Sequence, residues 1–451
     1  DEGLESTFAA LGRTGLDYSG GGLDEAAARR PAHTSISDSE YAYLSYVGWA
    51  GTFSPTQVAE DSKGGAALGN VRVIAEDLAT LADGPVTVMQ LHAGLEYAES
   101  PALSERTTMR QAIVDGADVA IGHHPHVLQG FEIYDERLIA YSLGNFLFDQ
   151  YHYTTQLGML LYVWMDGDTL HRAEAVPLHI NGYVPTPATG SFRYAVLSRL
   201  ARLADESVCM RSSGLHAIIE SCGRGDVRVS RVRVPAGAGD PPLHLRSLGV
   251  SPLEPVTVDA GGRRYRLGTD ISRRGDFEYA RLFGTHDRTW IVGDNASIKT
   301  GDDNRLEIRV PSGGATVRTG MKVFERVFTL SNPATVSGRL RVDGEVRLRF
   351  RLQRRRMSET LEHELENGPI TEIGVWEGTA VNWVGFSLDY NQPRIATRSV
   401  RLLIDIEDTS TEKYGATVAL DDLAWVEWRT PWRQAEEPGD DPVFATHVQL
   451  Q

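Results

Sequence analysis

Lysine is almost missing from this 451-residue chain: Lys63, Lys299, Lys322 and Lys413 are all it has, and arginine supplies the rest of the positive charge. Lys and Arg together number 45 against 61 Asp and Glu, a net charge of −16. That balance excludes a protein held on nucleic acid by phosphate contacts. It suits one kept in solution by its own charge. No apolar run reaches the roughly 18 residues of a membrane-crossing helix, and no leader-peptide pattern is visible. Cysteine is reduced to Cys209 and Cys222, in "CMRSSGLHAIIESC". They pair in an oxidising compartment or remain buried thiols, and spacing alone leaves both open. A Gly-x-Ser-x-Gly elbow is absent, which disfavours a serine hydrolase. So is the Gly-x-x-x-x-Gly-Lys loop that cradles nucleotide phosphates.

What is present falls into two halves. The first alternates helix and strand patterns, the mark of an α/β domain. "DEGLESTFAALGRTG", "LGNVRVIAEDLATLAD" and "SERTTMRQAIVDGA" carry helical spacing. "PVTVMQLHAG", "DVAIG", "RLIAYSLGNFLF" and "QLGMLLYVWMDGDTLHRAEAVPL" read as strands, the last a hairpin around Asp166-Gly167-Asp168. A further helix is expected over 192–205. The α/β domain is assigned to 1–225 and a linker to 226–245, where Pro and Gly crowd "VPAGAGDPPLHL". From 246 to 432 apolar and polar residues alternate in "RLEIRV", "MKVFERVFTL", "GRLRVDGEVRLRFRLQR", "NWVGFSLDY", "SVRLLIDIED" and "ATVALDDLAWVEW". That pattern predicts an antiparallel β-sandwich. The acidic stretch 433–451 is expected to be disordered.

The chemistry concentrates in "ADVAIGHHPHVLQGFEIYDERLIAYSLGNFLFD", residues 117–149. His123, His124 and His126 follow a buried strand, and His92 ends another. The helix between the two strands makes a βαβ unit, so the strands run parallel and end on one sheet edge. Ligands bind at that edge in open α/β sheets. Imidazoles gathered there point to a transition-metal site, with Glu96, Asn145 and Asp149 as available oxygen or amide donors. The competing reading is a set of polar residues that merely meet solvent at strand ends.

"LHAGLEYAESP" and the 117–149 stretch together resemble the CapA family of capsule and poly-γ-glutamate synthesis proteins. That family is similar in turn to calcineurin-type metallophosphoesterases. The resemblance covers about residues 1–190, with a weaker tail to 225. It implies that His92, His124 and His126 ligate a divalent metal (Mn, Zn or Fe), with two ions in the intact protein. It casts His123 as a supporting residue or acid, Glu96 as an acidic group close to substrate or metal, and Asn145 and Gln129 as substrate contacts. Ala93 stands where the family has tryptophan. The family's Asp-bearing strand end and Asn-His pair have no counterpart here, so half of the site and of the first sheet is expected to be missing.

The implied function is metal-dependent hydrolysis of a phosphoester, or of an amide in an anionic cell-envelope polymer, in an extracytoplasmic setting. The alternative is a degenerate, non-catalytic CapA-like module whose sandwich binds glycan. Six of the eight tryptophans lie in that sandwich: Trp290, Trp376, Trp383, Trp425, Trp428 and Trp432. Core packing accounts for most of them. "ATVALDDLAWVEW" resembles the last strand of jelly-roll carbohydrate-binding modules.

Overall fold

The computed structural model describes residues 2–48, 57–81, 84–150, 153–181, 183–223, 228–235, 239–270, 290–292, 296–299, 305–310, 315–319, 333–357, 365–391, 399–409, 415–434 and 442–451. The chain divides into two compact units, Asp1–Val227 and Arg228–Gln451.

The first unit is α/β. Strands β1 (Ala32–Ile36), β2 (Ser39–Val47), β3 (Val86–His92), β4 (Val119–His123), β5 (Phe131–Tyr134) and β6 (Arg137–Ala140) form one sheet in the order β1-β2-β3-β4-β6-β5. The pairs β2–β3, β3–β4 and β4–β6 are parallel. Period-two alternation splits each strand between two environments. Leu44, Tyr46, Met89 and Leu91 join a core with Ile74 and Leu78 of helix Val71–Ala79 and Met109 and Ile113 of helix Leu103–Val114. Their alternates, Ser45, Gln90 and His92, therefore lie on the opposite face. The helix Val71–Ala79 starts where Asn70 accepts the Val73 N–H at 3.1 Å, a side-chain cap at its first turn.

A second sheet is built from β7 (Leu157–Asp166), β8 (Thr169–Asn181), β9 (Val184–Pro187), β10 (Val208–Ser213) and β11 (His216–Ser221). β7 and β8 form the expected hairpin. The helix Gly190–Leu203 packs on it, with Phe192 stacked 3.8 Å from His179. Cys209 and Cys222 are disulfide-bonded across the β10–β11 hairpin, their Cα atoms 4.7 Å apart. One strand came out shorter than its pattern. "RLIAYSLGNFLF" is extended only over β6. Residues 141–150 leave the sheet as a loop that exposes Phe146, Leu147 and Phe148.

The second unit is all β. β12 (Ser230–Arg233) pairs with β14 (Val256–Asp259), while β13 (Leu243–His244), β15 (Arg264–Asp270), β16 (Arg305–Val310), β17 (Pro333–Met357), β18 (Leu365–Asn391), β19 (Ser399–Asp408), β20 (Ala416–Trp428) and β21 (His447–Leu450) share a larger, antiparallel sheet system. Its core takes the alternate residues Leu340, Val342, Val346, Leu348 and Phe350 of β17 with Ile404, Ile406, Val418, Leu420 and Trp425. β17 and β18 are 25 and 27 residues long. Register breaks at Leu340/Val342, Val342/Val346, Phe350/Arg351 and Gln353/Arg355 bend them. The expected strand "MKVFERVFTL" lies outside the described residues.

Two boundary expectations are corrected. The segment 226–245 is not merely a linker, because β12 and β13 lie within it and pair in the β unit. Nor is 433–451 wholly disordered. β21 is buried between β13 and β15, and Val443 bridges to Val256. The acids of that stretch end at Asp441, and the apolar residues beyond them fill the core around Tyr265 and Leu267.

Arg266 shows how this unit treats a buried charge. It is 6% exposed, lies 4.1 Å and 4.5 Å from the rings of Trp428 and Trp432, and donates to Asp389 at 2.9 Å and Gln449 at 2.9 Å. The guanidinium is thus desolvated but fully partnered.

Candidate metal centre at the histidine edge

β3 and β4 end side by side, with His92 in register with His123. The Ala93 N–H donates to the His123 carbonyl at 3.1 Å, so the two loops leave the sheet together. Gly122 is needed just before the turn: a Cβ there would stand 2.1 Å from the Tyr141 carbonyl oxygen. Past it the chain takes positive φ at His124 (95°) and His126 (59°). Non-glycine residues rarely adopt such angles, and they cluster where function fixes the backbone.

These turns aim the rings. His124 Nδ1 lies 3.1 Å from His92 Nε2. That separation suits an N–H···N hydrogen bond. It also equals the roughly 3.0–3.4 Å between two nitrogens that share one ion at about 2.1 Å. The His126 ring is 6.0 Å from that of His124. Its Nδ1–H donates to Asn145 Oδ1 at 2.9 Å, which leaves Nε2 as the free nitrogen. Asn145 is itself held, since its amide donates to Thr155 O and Gln150 Oε1, both at 3.1 Å. Among the described residues no group of three or more His, Cys, Asp or Glu side chains is arranged to hold an ion. The edge offers a pair of imidazoles and a third one ring away.

Electrostatics favours the neutral form of His92, His123 and His124. His92 retains solvent access, yet desolvation and then the neighbouring His124 and His126 lower its pKa to about 4. His124 is lowered by burial and by His126, and His123 by burial and by His92. Neutral imidazole is the form that ligates metal.

The other sequence-predicted residues fall in different places. The His123 Nε2–H donates to Gln90 Oε1 at 3.2 Å, and the Gln90 amide reaches Ser45 at 3.4 Å. Ser45 lies 2.7 Å from Ser19. This polar chain borders a pocket of about 420 Å³ lined by Asp17, His33 and Tyr43 among others. Glu96 is exposed on the loop after β3. Gln129, expected to touch substrate, is 0% exposed and donates to the Ala98 carbonyl at 2.9 Å. It pins the loop after β3 from inside. Asp149 is exposed beside Phe148, whose ring is 5.0 Å from His126.

Glu105 was missed. It is 3% exposed, and its Oε2 accepts the Ala102 N–H at 3.2 Å in the first turn of its helix. A Cβ on Gly94 would stand 2.7 Å from Oε2, and one on Gly122 3.4 Å from Oε1. The carboxyl therefore sits behind both histidine loops. Burial raises its pKa to about 7, opposed by the Ala102 hydrogen bond. In sequence it reads as an ordinary acid at a helix N-terminus, with nothing to mark it as buried.

A family model described as "Bacterial capsule synthesis protein PGA_cap" matches residues 1–150, the segment that carries the four histidines of this edge. That segment is similar to the CapA family. The chain is 28% identical over 195 residues to the capsule biosynthesis protein CapA of Bacillus anthracis, covering 42% of this chain and 47% of that one. It is 38% identical over 102 residues to the PGA biosynthesis protein CapA of Bacillus subtilis (strain 168), covering 23% and 27%. The chain thus spans about half or less of the length of these CapA relatives. Among solved structures, it matches one titled "CBM4 structure and function" at 12% identity and a TM-score of 0.23, over 30% of this chain and 93% of that one. The CBM22-2 xylan-binding domain from Paenibacillus barcinonensis Xyn10C matches at 14% and 0.25, over 34% and 97%. At these scores neither likeness says what the β unit does.

Proposed function

We infer that the first unit is a metal-dependent, hydrolase-type domain serving capsule or poly-γ-glutamate biosynthesis, with His92 and His124 as metal ligands. The observation that carries this is the 3.1 Å approach of His92 Nε2 and His124 Nδ1 at the ends of adjacent parallel strands. His92 and His124 would hold a divalent ion, which would supply activated water and polarisation of a phosphoester or amide oxygen. The chain's own residues prepare the place. Asn145 fixes the His126 tautomer and turns Nε2 away from itself. Gln90 holds His123 from the sheet face, beside the polar pocket where a substrate group can lie. Glu96 supplies an exposed carboxylate on the loop that follows His92.

Elemental analysis of the full chain after manganese or zinc loading tests the ligand pair. Wild type should retain the ion, and His92→Ala and His124→Ala should each lose most of it. Equal metal content in all three would overturn the assignment. Turnover of an aryl phosphodiester and of poly-γ-glutamate is measured on the same samples. A second reading, a non-catalytic module whose β unit binds glycan, is favoured by the absence of a third converging ligand among the described residues. Retained metal without turnover on either substrate would select it.

A further inference from the structure

A second exposed site stands in the β unit, where two neighbouring strands bulge at one level. Opposite Arg341 of β17, strand β18 carries three residues, Val381 to Trp383, between the pairs Leu340↔Val384 and Val342↔Ala380. On the other side of β17, strand β20 carries Asp422 and Leu423 between the partners of Ser337 and Arg339. Asp422 has a positive φ of 49°. Such bulges re-aim side chains, and they gather beside binding sites. Here they put Trp383, Arg341, Arg339 and Asp422 together. The guanidinium carbons of Arg339 and Arg341 lie 5.4 Å and 5.6 Å from the Trp383 ring. Val381 is 76% exposed, and Trp383 is half-buried.

The two arginines differ. Arg339 donates to Asp421 at 2.8 Å and is ion-paired with Asp422 at 2.7 Å. Arg341 makes no ion pair among the described residues; its partner is the indole. Set beside the fully partnered Arg266, it is a planar cationic fork kept ready for a carboxylate. A neutral sugar would leave that fork unpaired. A linear polyacid would offer no ring face to the indole. A sugar ring that bears a carboxylate satisfies both, with Asp422 available to accept from its hydroxyls.

We propose that Trp383, Arg341 and Asp422 form a binding site for uronate residues of an acidic polysaccharide. This deepens the glycan-binding reading and does not depend on the metal. The test titrates the full chain with polygalacturonate, xylan and poly-γ-glutamate, following tryptophan fluorescence and calorimetry. Polygalacturonate should bind saturably. Arg341→Gln and Trp383→Leu should each weaken it at least tenfold, while Arg341→Lys recovers part of the loss. An unchanged melting temperature in Arg341→Gln keeps the result separate from folding. Xylan bound as tightly as polygalacturonate, with Arg341→Gln silent, would overturn the acidic class but leave glycan binding standing. Poly-γ-glutamate bound as tightly, with Trp383→Leu silent, would overturn the ring-stacking site. No binding of either polysaccharide would overturn both this site and the glycan reading.

Discussion

Two close histidine pairs stand among the described residues, and their difference shows what separates a candidate site from a scaffold. In the first unit, the His92 and His124 rings lie 4.9 Å apart, His92 exposed at the end of β3 and His124 9% exposed on the turn beyond β4. In the β unit, the His244 and His447 rings lie 4.6 Å apart within paired strands β13 and β21. Both pairs have lowered pKa values. For His447 burial alone lowers it to about 3. For His244 burial and then His447 do the same, with Asp270 opposing and Arg246 adding. The β-unit pair is committed, because His244 Nδ1 accepts the Arg246 N–H at 3.0 Å and His447 Nδ1 is 2.9 Å from Thr446 Oγ1. In the first pair His92 is exposed at a strand end, and His124 sits at a positive φ of 95°. Proximity of two imidazoles is common to both; access and backbone strain are not.

Breaking the two pairs should therefore cost very different amounts. His447 is 3% exposed, so His447→Ala should destabilise the β unit by about 2–4 kcal/mol through the space and unpaired groups it leaves. His92→Ala should change stability by less than about 0.5 kcal/mol while removing metal binding. Denaturant melts of both variants measure this, and similar losses would erase the distinction between site and scaffold.

Acid should sharpen the contrast. His244 and His447 have folded pKa values of about 3, below the unfolded value near 6.5. Their contribution is whole above pH 6.5 and is lost as pH falls toward 3, because the unfolded chain takes up protons that the folded chain refuses. The slope reaches about 1.4 kcal/mol per pH unit for each histidine. Melts between pH 7 and pH 4 should show the β unit falling steeply, and His447→Gln should flatten the decline. A flat profile in wild type would mean the pair is not buried in solution.

Glu105 has the opposite sign and the smallest effect. Its folded pKa of about 7 lies above the ordinary carboxylate value. The stability it supplies is complete below about pH 4.5 and is lost as pH rises through 7. Glu105→Gln should therefore stabilise the first unit at pH 8 by about 1–2 kcal/mol and leave it little changed at pH 4.5. Destabilisation at pH 8 would show that the carboxylate is needed charged.

The sequence made the scaffold of the site legible. Apolar spacing located the helix Leu103–Val114 and the strands beside it, and the parallel crossover rule put His92 and the His123–His126 cluster on one sheet edge. The aim of the rings was not legible. It depends on positive φ at His124 and His126, which residue type does not announce. Gln129 and Glu105 were misjudged or missed for one reason: a polar side chain in a loop or first turn looks alike whether it faces water or the core. In the β unit the period-two pattern gave the strand class. The acids at 436–441 drew attention from the short apolar segment that becomes β21.

The register breaks along β17 and β18 also bear on how this protein behaves in a crowd. Among the described residues β18 pairs with β17 alone, and Ile370, Val375, Val381 and Val384 are exposed on it. A straight edge of 27 residues would invite strands of other molecules to add on, as in fibril growth. The longest unbroken run is the eight pairs from Pro333↔Asn391 to Leu340↔Val384, and beyond it the ladder shifts four times. An incoming strand that matched one stretch would lose register at the next. The irregularity that presents Trp383 thus also keeps a long, partly apolar edge from becoming a template for aggregation.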